Sequence, residues 1–189
     1  MRISQVMRSP AVTVTPGDKL KDVAALLVEH GFSAVPVVAA DGALAGIVSA
    51  ADLIDIEPVA HQALPATVAE VMTPGVFTVP ADADAARAVR LMLERGYRSL
   101  PVTDDAEVVG MVSRGDLLRA LARADDVIRA DIERLLAVHA QLLAALEVSV
   151  ADGVVTFAGE LPAAARCLPD ALARDVPGTL AVRFEPRPG

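Results

Sequence analysis

The stretches GIVSAADL (46–53) and GMVSRGDL (110–117) repeat one motif, in which a serine stands three residues before an aspartate. A carboxylate can accept hydrogen bonds from both hydroxyls of a diol, and a serine hydroxyl can donate or accept one. Ser-x-x-Asp is also a helix-capping pattern, in which the serine oxygen accepts from a free backbone N–H. The motif therefore predicts either a polar binding site or two ordinary helix starts.

The two motifs belong to a longer internal repeat. At a shift of 65 residues, Val6-Met7 matches Val71-Met72 and Gly31-Phe32 matches Gly96-Tyr97, and after the hairpin turn the shift becomes 64. Each copy predicts a strand, a helix, two strands and a helix, so the predicted fold class is α/β (α+β). One such unit cannot cover its sheet alone, which predicts a pseudo-two-fold pair of β-α-β-β-α repeats.

Local signals place the elements within each copy. In the first copy a strand is predicted at 11–14, and Thr15-Pro-Gly-Asp18 predicts the start of a helix that Gly31 ends. Asp41-Gly42 predicts the hairpin turn between the next two strands, and the second helix is expected to begin at Ser49. The second copy repeats these elements, with predicted positions of 76–79, 81–95, 100–103, 108–113 and 113–123.

Beyond residue 125 the repeat stops and a different order of elements is predicted. An amphipathic helix comes first, a hairpin around Asp152-Gly153 follows, and a helix that Pro169 kinks or divides leads to a last strand at 179–185. Cys167 is expected to be a small core side chain, and His139 a partly buried helix residue. The predicted order is α-β-β-α-β.

Residues 3–121 resemble the tandem CBS (cystathionine-β-synthase) domain pair. The resemblance lies in the two Val-Met pairs, in GFSAVPV and GYRSLPV, and in the two Gly-x-x-Ser-x-x-Asp-Leu motifs. Residues 127–185 resemble a BON domain, through DGVVTFAGEL and the later VPG. The predicted domains are a first CBS repeat at 1–60, a second at 61–125 and a BON-like domain at 126–189.

The CBS resemblance implies an adenosine-type ligand in the cleft between the repeats. Asp52 and Asp116 would accept hydrogen bonds from the ribose, with Ser49 and Ser113 beside them. The residues implied to line the adenine are Thr13, Ala34, Val35, Pro36, Thr78, Ser99, Leu100 and Pro101. The candidate phosphate cations are three arginines of the second repeat, Arg95, Arg98 and Arg114. Helix capping without a ligand remains the alternative interpretation of both motifs.

Charge and motif content narrow the class of function. A net charge of −8 disfavours nucleic acid and anionic membranes as partners. The start, MRISQVMRSPAV, has no signal-peptide pattern, so a cytoplasmic location is expected. No catalytic set, Walker-type loop or metal cluster is present in the sequence, which predicts a protein that is not an enzyme and has neither a metal nor an obligatory cofactor.

The function predicted from these features is that of a regulatory sensor. An adenine nucleotide of the AMP, ADP or ATP type would bind as the regulatory ligand, and an unknown effector protein would respond. A homodimer through the CBS helices is also expected. The alternative is a structural or interaction module with empty CBS sites and BON-mediated association with a protein or a membrane.

Overall fold

The computed structural model describes residues 1–55, 66–139 and 146–186, which form two compact bodies. One body is Met7–Arg114, and the other combines Met1–Val6 with Gly115–Gly189. The predicted boundary between residues 60 and 61 lies outside the described residues. The predicted domain limits therefore stay predictions.

The body Met7–Arg114 contains two copies of one arrangement. The first copy comprises α1 (Leu20–His30), β1 (Ala34–Val38), β2 (Leu44–Ser49) and α2 (Ala50–Ile54). The second comprises β3 (Thr73–Pro74), β4 (Val79–Pro80), α3 (Ala85–Arg95), β5 (Ser99–Asp104) and β6 (Glu107–Ser113), after which the chain enters α4 (Arg114–Leu121). The sheets have the orders β1-β2-β3 and β4-β5-β6. The predicted α/β class and pseudo-two-fold repeat are confirmed.

The outer pairing partner of each sheet comes from the other repeat. It belongs to the short segment that precedes the first helix of that other repeat. The short strand β3 opens the second repeat but pairs antiparallel with β2, where Thr73 lies opposite Ile47. In the same way Arg8, which opens the first repeat, forms an antiparallel bridge with Met111 of β6. The two backbone hydrogen bonds of this bridge measure 2.8 and 3.0 Å. The two repeats thus exchange their leading segments.

A glycine stands at each crossing. A Cβ atom on Gly46 would lie 2.8 Å from the carbonyl oxygen of Thr73. A Cβ atom on Gly110 would lie 2.8 Å from the carbonyl oxygen of Arg8 and 2.7 Å from the sulfur of Met7. Both distances are too short for a real side chain, so close approach of two backbones requires the glycine that opens each motif.

The first-repeat core confirms the exchange through its side chains. Val23 and Leu27 of α1 pack on Val37 of β1 and Val48 of β2. Val68, in the leading segment of the second repeat, is fully buried in this same cluster. Part of the first core therefore comes from the leading segment of the second repeat.

Two helices begin later than their sequence signals predict. Thr15 and Asp18 form a separate turn, in which the Asp18 carboxylate accepts from the backbone N and the hydroxyl of Thr15 at 2.7 and 2.9 Å. Helix α1 therefore begins only at Leu20. Helix α3 begins at Ala85 because the Asp84 carboxylate caps it, accepting from the backbone N of Ala86 at 2.7 Å.

The first predicted strand of each copy is much shorter in the structure. The prediction at 11–14 reduces to a single parallel bridge between Val14 and Val37. In the second copy the strand is β4, which pairs parallel with β5 through Val79 and Pro80. The predicted helix ends are correct, since Gly31 and Gly96 have the left-handed φ values of 62° and 75°.

In the second body, the elements of the C-terminal segment follow the predicted order. They are α5 (Asp125–Ala137), β7 (Glu147–Ala151), β8 (Val154–Ala158), α6 (Cys167–Asp175) and β9 (Ala181–Glu185). Strand β8 is central, antiparallel to β7 and parallel to β9. The core is formed by Ile128, Ile132 and Leu136 of α5 against Val155 and Phe157 of β8.

Two side chains of this segment lie elsewhere than predicted. Cys167 is exposed, because it opens α6 outside the buried stripe of Pro169 and Ala173. His139 is also exposed, because α5 ends before it at Ala137. The predicted helix is divided into a 3-10 turn at Ala163–Ala165 and helix α6. Pro169 lies in the first turn of α6, where no N–H is required.

The crossings predict that Gly46→Ala and Gly110→Ala each lower the free energy of unfolding. The new methyl group must push backbone apart, which costs about 1–3 kcal/mol, and urea unfolding measures the loss. Gly17→Ala is the matched control, since nothing lies within 4 Å of a Cβ atom there. It should stay within about 1 kcal/mol of the wild type. Equal stability of all three variants would contradict the proposed role of the crossings.

Candidate functional site

In the first repeat, the Ser-x-x-Asp motif lies where β2 ends and α2 begins. Ser49 is the N-cap of α2, and the Asp52 carboxylate turns back to accept from its backbone N and its hydroxyl, both at 2.7 Å. Both bonds reach Oδ2 of Asp52. Its Oδ1 makes no hydrogen bond to the part of the chain that the structure describes. The predicted cap exists, and it leaves one carboxylate oxygen available.

In the second repeat, the same junction has a different electrostatic environment. Ser113 ends β6, and Asp116 lies in the first turn of α4 with its side chain only 5% exposed. The Asp116 carboxylate is paired through Oδ1 with the guanidinium of Arg119. Asp52 and Asp116 thus share a motif but differ in their partners.

The segments predicted to line the adenine are paired strands of the body Met7–Arg114. Ala34 lies opposite Ser49 in the first hairpin, and Ser99 lies opposite Ser113 in the second. The hydroxyl groups of Ser33 and Ser99 lie 3.4 Å apart, so β1 and β5 approach one another. The structure therefore brings segments 34–36 and 99–101 together and aligns each with the serine of its motif.

The side chains of these segments contribute mainly to the core. Val35 and Leu100 are each 1% exposed, so a ligand there would meet backbone groups. Thr13 directly precedes Val14, which pairs parallel with β1 of the first hairpin. Thr78 directly precedes Val79, which pairs parallel with β5 of the second hairpin. Thr13 is exposed and Thr78 half-buried, so their hydroxyl groups are placed at matching points of the two repeats.

Two of the three predicted phosphate cations already have partners. Arg114 donates from Nε to the carbonyl oxygen of Tyr97 at 2.8 Å, and from Nη2 to that of Met92 at 2.7 Å, which caps the end of α3. Arg95 lies over the ring of Phe77, 4.9 Å from its centroid. Arg98 is exposed, and within the described residues its side chain has no hydrogen-bond, ion-pair or ring partner.

Arg119 is a candidate residue that the sequence predictions missed. The signal was present, because residues three apart in a helix lie on the same side and can pair. The matching position in the first repeat is Asp55. An aspartate cannot donate to Asp52, so the two repeats differ in charge beside their motif carboxylates.

The turn that follows α4 is bound to the C-terminal segment. Arg123 donates from Nη1 to the carbonyl oxygen of Pro177 at 2.9 Å, and its Nη2 pairs with Asp131 of α5. The hydrogen bond from Arg123 lowers the pKa of the Asp131 carboxyl below its ordinary value, and a second one from Arg134 adds to this although burial opposes it. Gly178 fits here because a Cβ atom would lie 2.7 Å from Ile128.

The site geometry supports polar binding at the motif carboxylates. Across the described residues no group of three His, Cys, Asp or Glu side chains is placed to hold a metal ion. Nor does any helix among them have the length and hydropathy of a membrane span. A carboxylate at the start of a helix can instead accept from ligand hydroxyl groups, with free backbone N–H groups nearby.

The sequence model of the CBS domain family matches residues 3–58 and 68–123. The chain belongs to the CBS domain family. Both Ser-x-x-Asp motifs fall inside the matched ranges, one in each CBS domain. The match does not extend to the C-terminal segment, whose BON resemblance stays a prediction.

Relatives and solved structures match a little under two thirds of the chain. Protein MK0525 of Methanopyrus kandleri is 31% identical over 120 residues, which are 62% of this chain and 61% of that protein. The crystal structure of CBSX2 in complex with AMP has 29% identity and a TM-score of 0.57, and the match covers 63% of this chain and 94% of the chain in that structure.

A second solved structure is similar to the same extent. The CBS domain pair of protein MJ0100, in complex with 5-methylthioadenosine and S-adenosyl-L-methionine, has 25% identity and a TM-score of 0.57. The match covers 63% of this chain and 94% of that one. The CBS pair is thus the part of the chain with structural relatives of known ligands.

The Arg123–Asp131 pair predicts a pH-dependent stability. Because folding lowers the pKa of Asp131, the pair stabilises the fold above the ordinary aspartate pKa and loses this effect as pH falls through the lowered value. Asp131→Asn should therefore reduce the free energy of unfolding by about 1 kcal/mol at pH 7. Urea unfolding at several pH values should show this difference narrowing below about pH 4.

Asp170→Asn provides the control for this measurement. Asp170 pairs with Arg174 within α6 at 2.8 Å, and the arginine side chain is 56% exposed. Its removal should change stability less than Asp131→Asn at pH 7, since an exposed pair contributes little. A difference for Asp131→Asn that stays constant down to pH 3 would show that its carboxylate charge is not involved.

Proposed function

We propose that the CBS pair of this chain binds an adenine nucleotide of the AMP, ADP or ATP type and acts as a non-catalytic regulatory sensor. The AMP complex of CBSX2 and the S-adenosylmethionine complex of MJ0100 support an adenosine-containing ligand. The observation that carries the proposal is the repeated junction, at which a strand ends on Ser49 or Ser113 and a carboxylate follows in the next helical turn.

In this proposal the two carboxylates accept the ribose hydroxyl groups. Asp52 and Asp116 are the acceptors, and Ser49 and Ser113 orient them or bind the sugar directly. Backbone groups of 34–36 and 99–101 read the adenine, because the larger side chains there are buried. Thr13 and Thr78 complete the lining at the first strand or bridge of each repeat.

The phosphates are proposed to bind the arginines of the second repeat. Arg98 is the strongest candidate, because its exposed guanidinium can form a fork with phosphate oxygens. Arg95 and Arg114 remain in the proposal as cations that add positive potential. Two of the Arg114 N–H groups already bind backbone carbonyl groups, so this residue also supports the shape of the site.

The regulatory signal is proposed to pass to an effector protein through the C-terminal segment, which Arg123 joins to the turn after α4. We retain the BON-like identity of this segment, the cytoplasmic location and the homodimer through CBS helices as parts of the proposal. The exposure of Val28 on α1 and Leu93 on α3, 83% and 70%, supports an apolar dimer face. The mass of the protein in solution tests the dimer.

A second function is favoured by the capping bonds of Ser49 and Asp52. These bonds satisfy the helix start without a ligand, as expected of an interaction module with empty CBS sites. Such a module would bind a protein or a membrane through its C-terminal segment. Binding of nucleotide to the purified chain distinguishes the two functions.

We predict that adenosine, AMP, ADP, ATP or S-adenosylmethionine raises the thermal unfolding midpoint of the full chain. A ligand that binds only the folded state stabilises it by about 2.7 kcal/mol at a hundred times its dissociation constant. In the double variant Asp52→Ala with Asp116→Ala the ligand should bind about ten- to a hundredfold more weakly, because a charged hydrogen-bond acceptor is lost.

Asp55→Ala is the control for this double variant. It removes an exposed carboxylate at the end of the helix that carries Asp52, and it should respond to nucleotide as the wild type does. A wild-type response in the double variant would show that the two aspartates only cap helices. No response of the wild type to any of the five ligands would favour the interaction module.

A further inference from the structure

The two motif carboxylates differ in what already occupies them. Asp116 is paired through Oδ1 with Arg119, whereas Oδ1 of Asp52 has no hydrogen bond within the described residues. Asp55 stands where the first repeat would carry the counterpart of Arg119. It is exposed, and a carboxylate side chain has no N–H group with which to compete for Asp52.

We propose that Arg119 competes with the ribose of a nucleotide for the Asp116 carboxylate, which makes the second repeat the weaker ribose site. This inference rests on the proposed function, since it concerns the same ribose contact. The Arg119 guanidinium occupies a lone-pair position on Oδ1 that a ribose hydroxyl group would otherwise use, so the two donors compete there. The first repeat carries no such competitor at the matching position.

Burial of Asp116 strengthens the competition. Its side chain is 5% exposed, so water cannot readily replace a lost hydrogen-bond partner. If Arg119 leaves the Asp116 carboxylate, another donor such as a ribose hydroxyl group must take its place, because an unpaired buried charge is costly. The Arg119 side chain is 63% exposed, so it regains water when it leaves. The pair is therefore stable when the site is empty but is reversible when a diol arrives.

The structure has room for this exchange. A cavity of about 370 Å³ lies beside the pair, lined also by Gln5, Ala120, Arg123 and Pro177. Arg119 can turn into it or into solvent by rotation of its side chain while the backbone of α4 stays in place. The competition thus requires only a change of rotamer.

The test uses adenosine as the probe and the full chain as the protein. Adenosine has no phosphate group and no charge. A change in its affinity between Arg119→Gln and its parent therefore reports the ribose and adenine contacts alone. Isothermal titration in an Asp52→Asn background, which weakens the first site, reports binding at the second. Arg119→Gln should lower the adenosine dissociation constant there by about two- to fivefold, the range expected when a pair with one exposed partner is removed.

Salt dependence separates competition from a general structural effect. Raising ionic strength screens the exposed guanidinium, so adenosine should bind the second site more tightly at high salt when Arg119 is present. This gain should be absent from Arg119→Gln. Arg129→Gln is the matched control, since Arg129 is a half-exposed arginine of α5 whose partner is Glu133. Its adenosine affinity should equal that of its parent.

A reciprocal variant tests the inference at the other repeat and without loss of a native contact. Asp55→Arg places a guanidinium three residues after Asp52, so adenosine should bind the first site about two- to fivefold more weakly in an Asp116→Asn background. If Arg119→Gln proves unfolded by circular dichroism, this variant decides the question alone.

The outcomes are distinct. Unchanged or weaker adenosine binding by folded Arg119→Gln would overturn the competition, and so would weaker AMP binding with unchanged adenosine binding, which would make Arg119 a phosphate ligand. An unchanged first site in Asp55→Arg would overturn it as well. Failure of the unsubstituted chain to bind either adenosine or AMP would instead refute the proposed function, and the competition with it.

Discussion

The close backbone crossing between each leading segment and the hairpin of the other repeat is the contact on which the CBS pair depends. At Gly46 the chain around Thr73 passes too near for a side chain, and at Gly110 the chain around Arg8 does the same. Because strand β2 runs from Gly46 to Ser49 without a break, the crossing also fixes the junction where the motif aspartate lies. Folding and the site therefore depend on the same strands.

The same junction carries different charges in the two repeats. Asp52 and Asp116 occupy equivalent places, yet a guanidinium pairs with Oδ1 of Asp116, whereas Oδ1 of Asp52 has no hydrogen bond within the described residues. Duplication preserves the backbone that places the carboxylates, while a single side chain, Asp55 or Arg119, changes how accessible each is. If the proposed ribose contact holds, the two repeats respond to ligand over two concentration ranges with one fold.

The sequence predicts what depends on local patterns. Alternating apolar residues and the Asp41-Gly42 and Asp152-Gly153 turns place the hairpins correctly, and Gly31 and Gly96 mark helix ends. The exchange of leading segments could not be predicted from the sequence. It joins residues about 30 to 100 apart through backbone hydrogen bonds, which any side chain allows and which therefore leave no pattern in the sequence. Thr15 and Asp18 mislead for the opposite reason, since their strong local turn forms ahead of the helix. The sequence likewise predicted Arg114 as a phosphate cation, because its hydrogen bonds to the carbonyl oxygens of Tyr97 and Met92 are visible only in the structure.

The most direct test of this account is a crystal structure of the full chain with one equivalent of AMP and a second with a large excess. At one equivalent we expect the ribose hydroxyl groups within hydrogen-bond distance of the Asp52 carboxylate. At excess we expect a second nucleotide at Asp116, with Arg119 turned away from it. A nucleotide that fills the Asp116 site first, or a ribose bound by neither aspartate, would contradict the account.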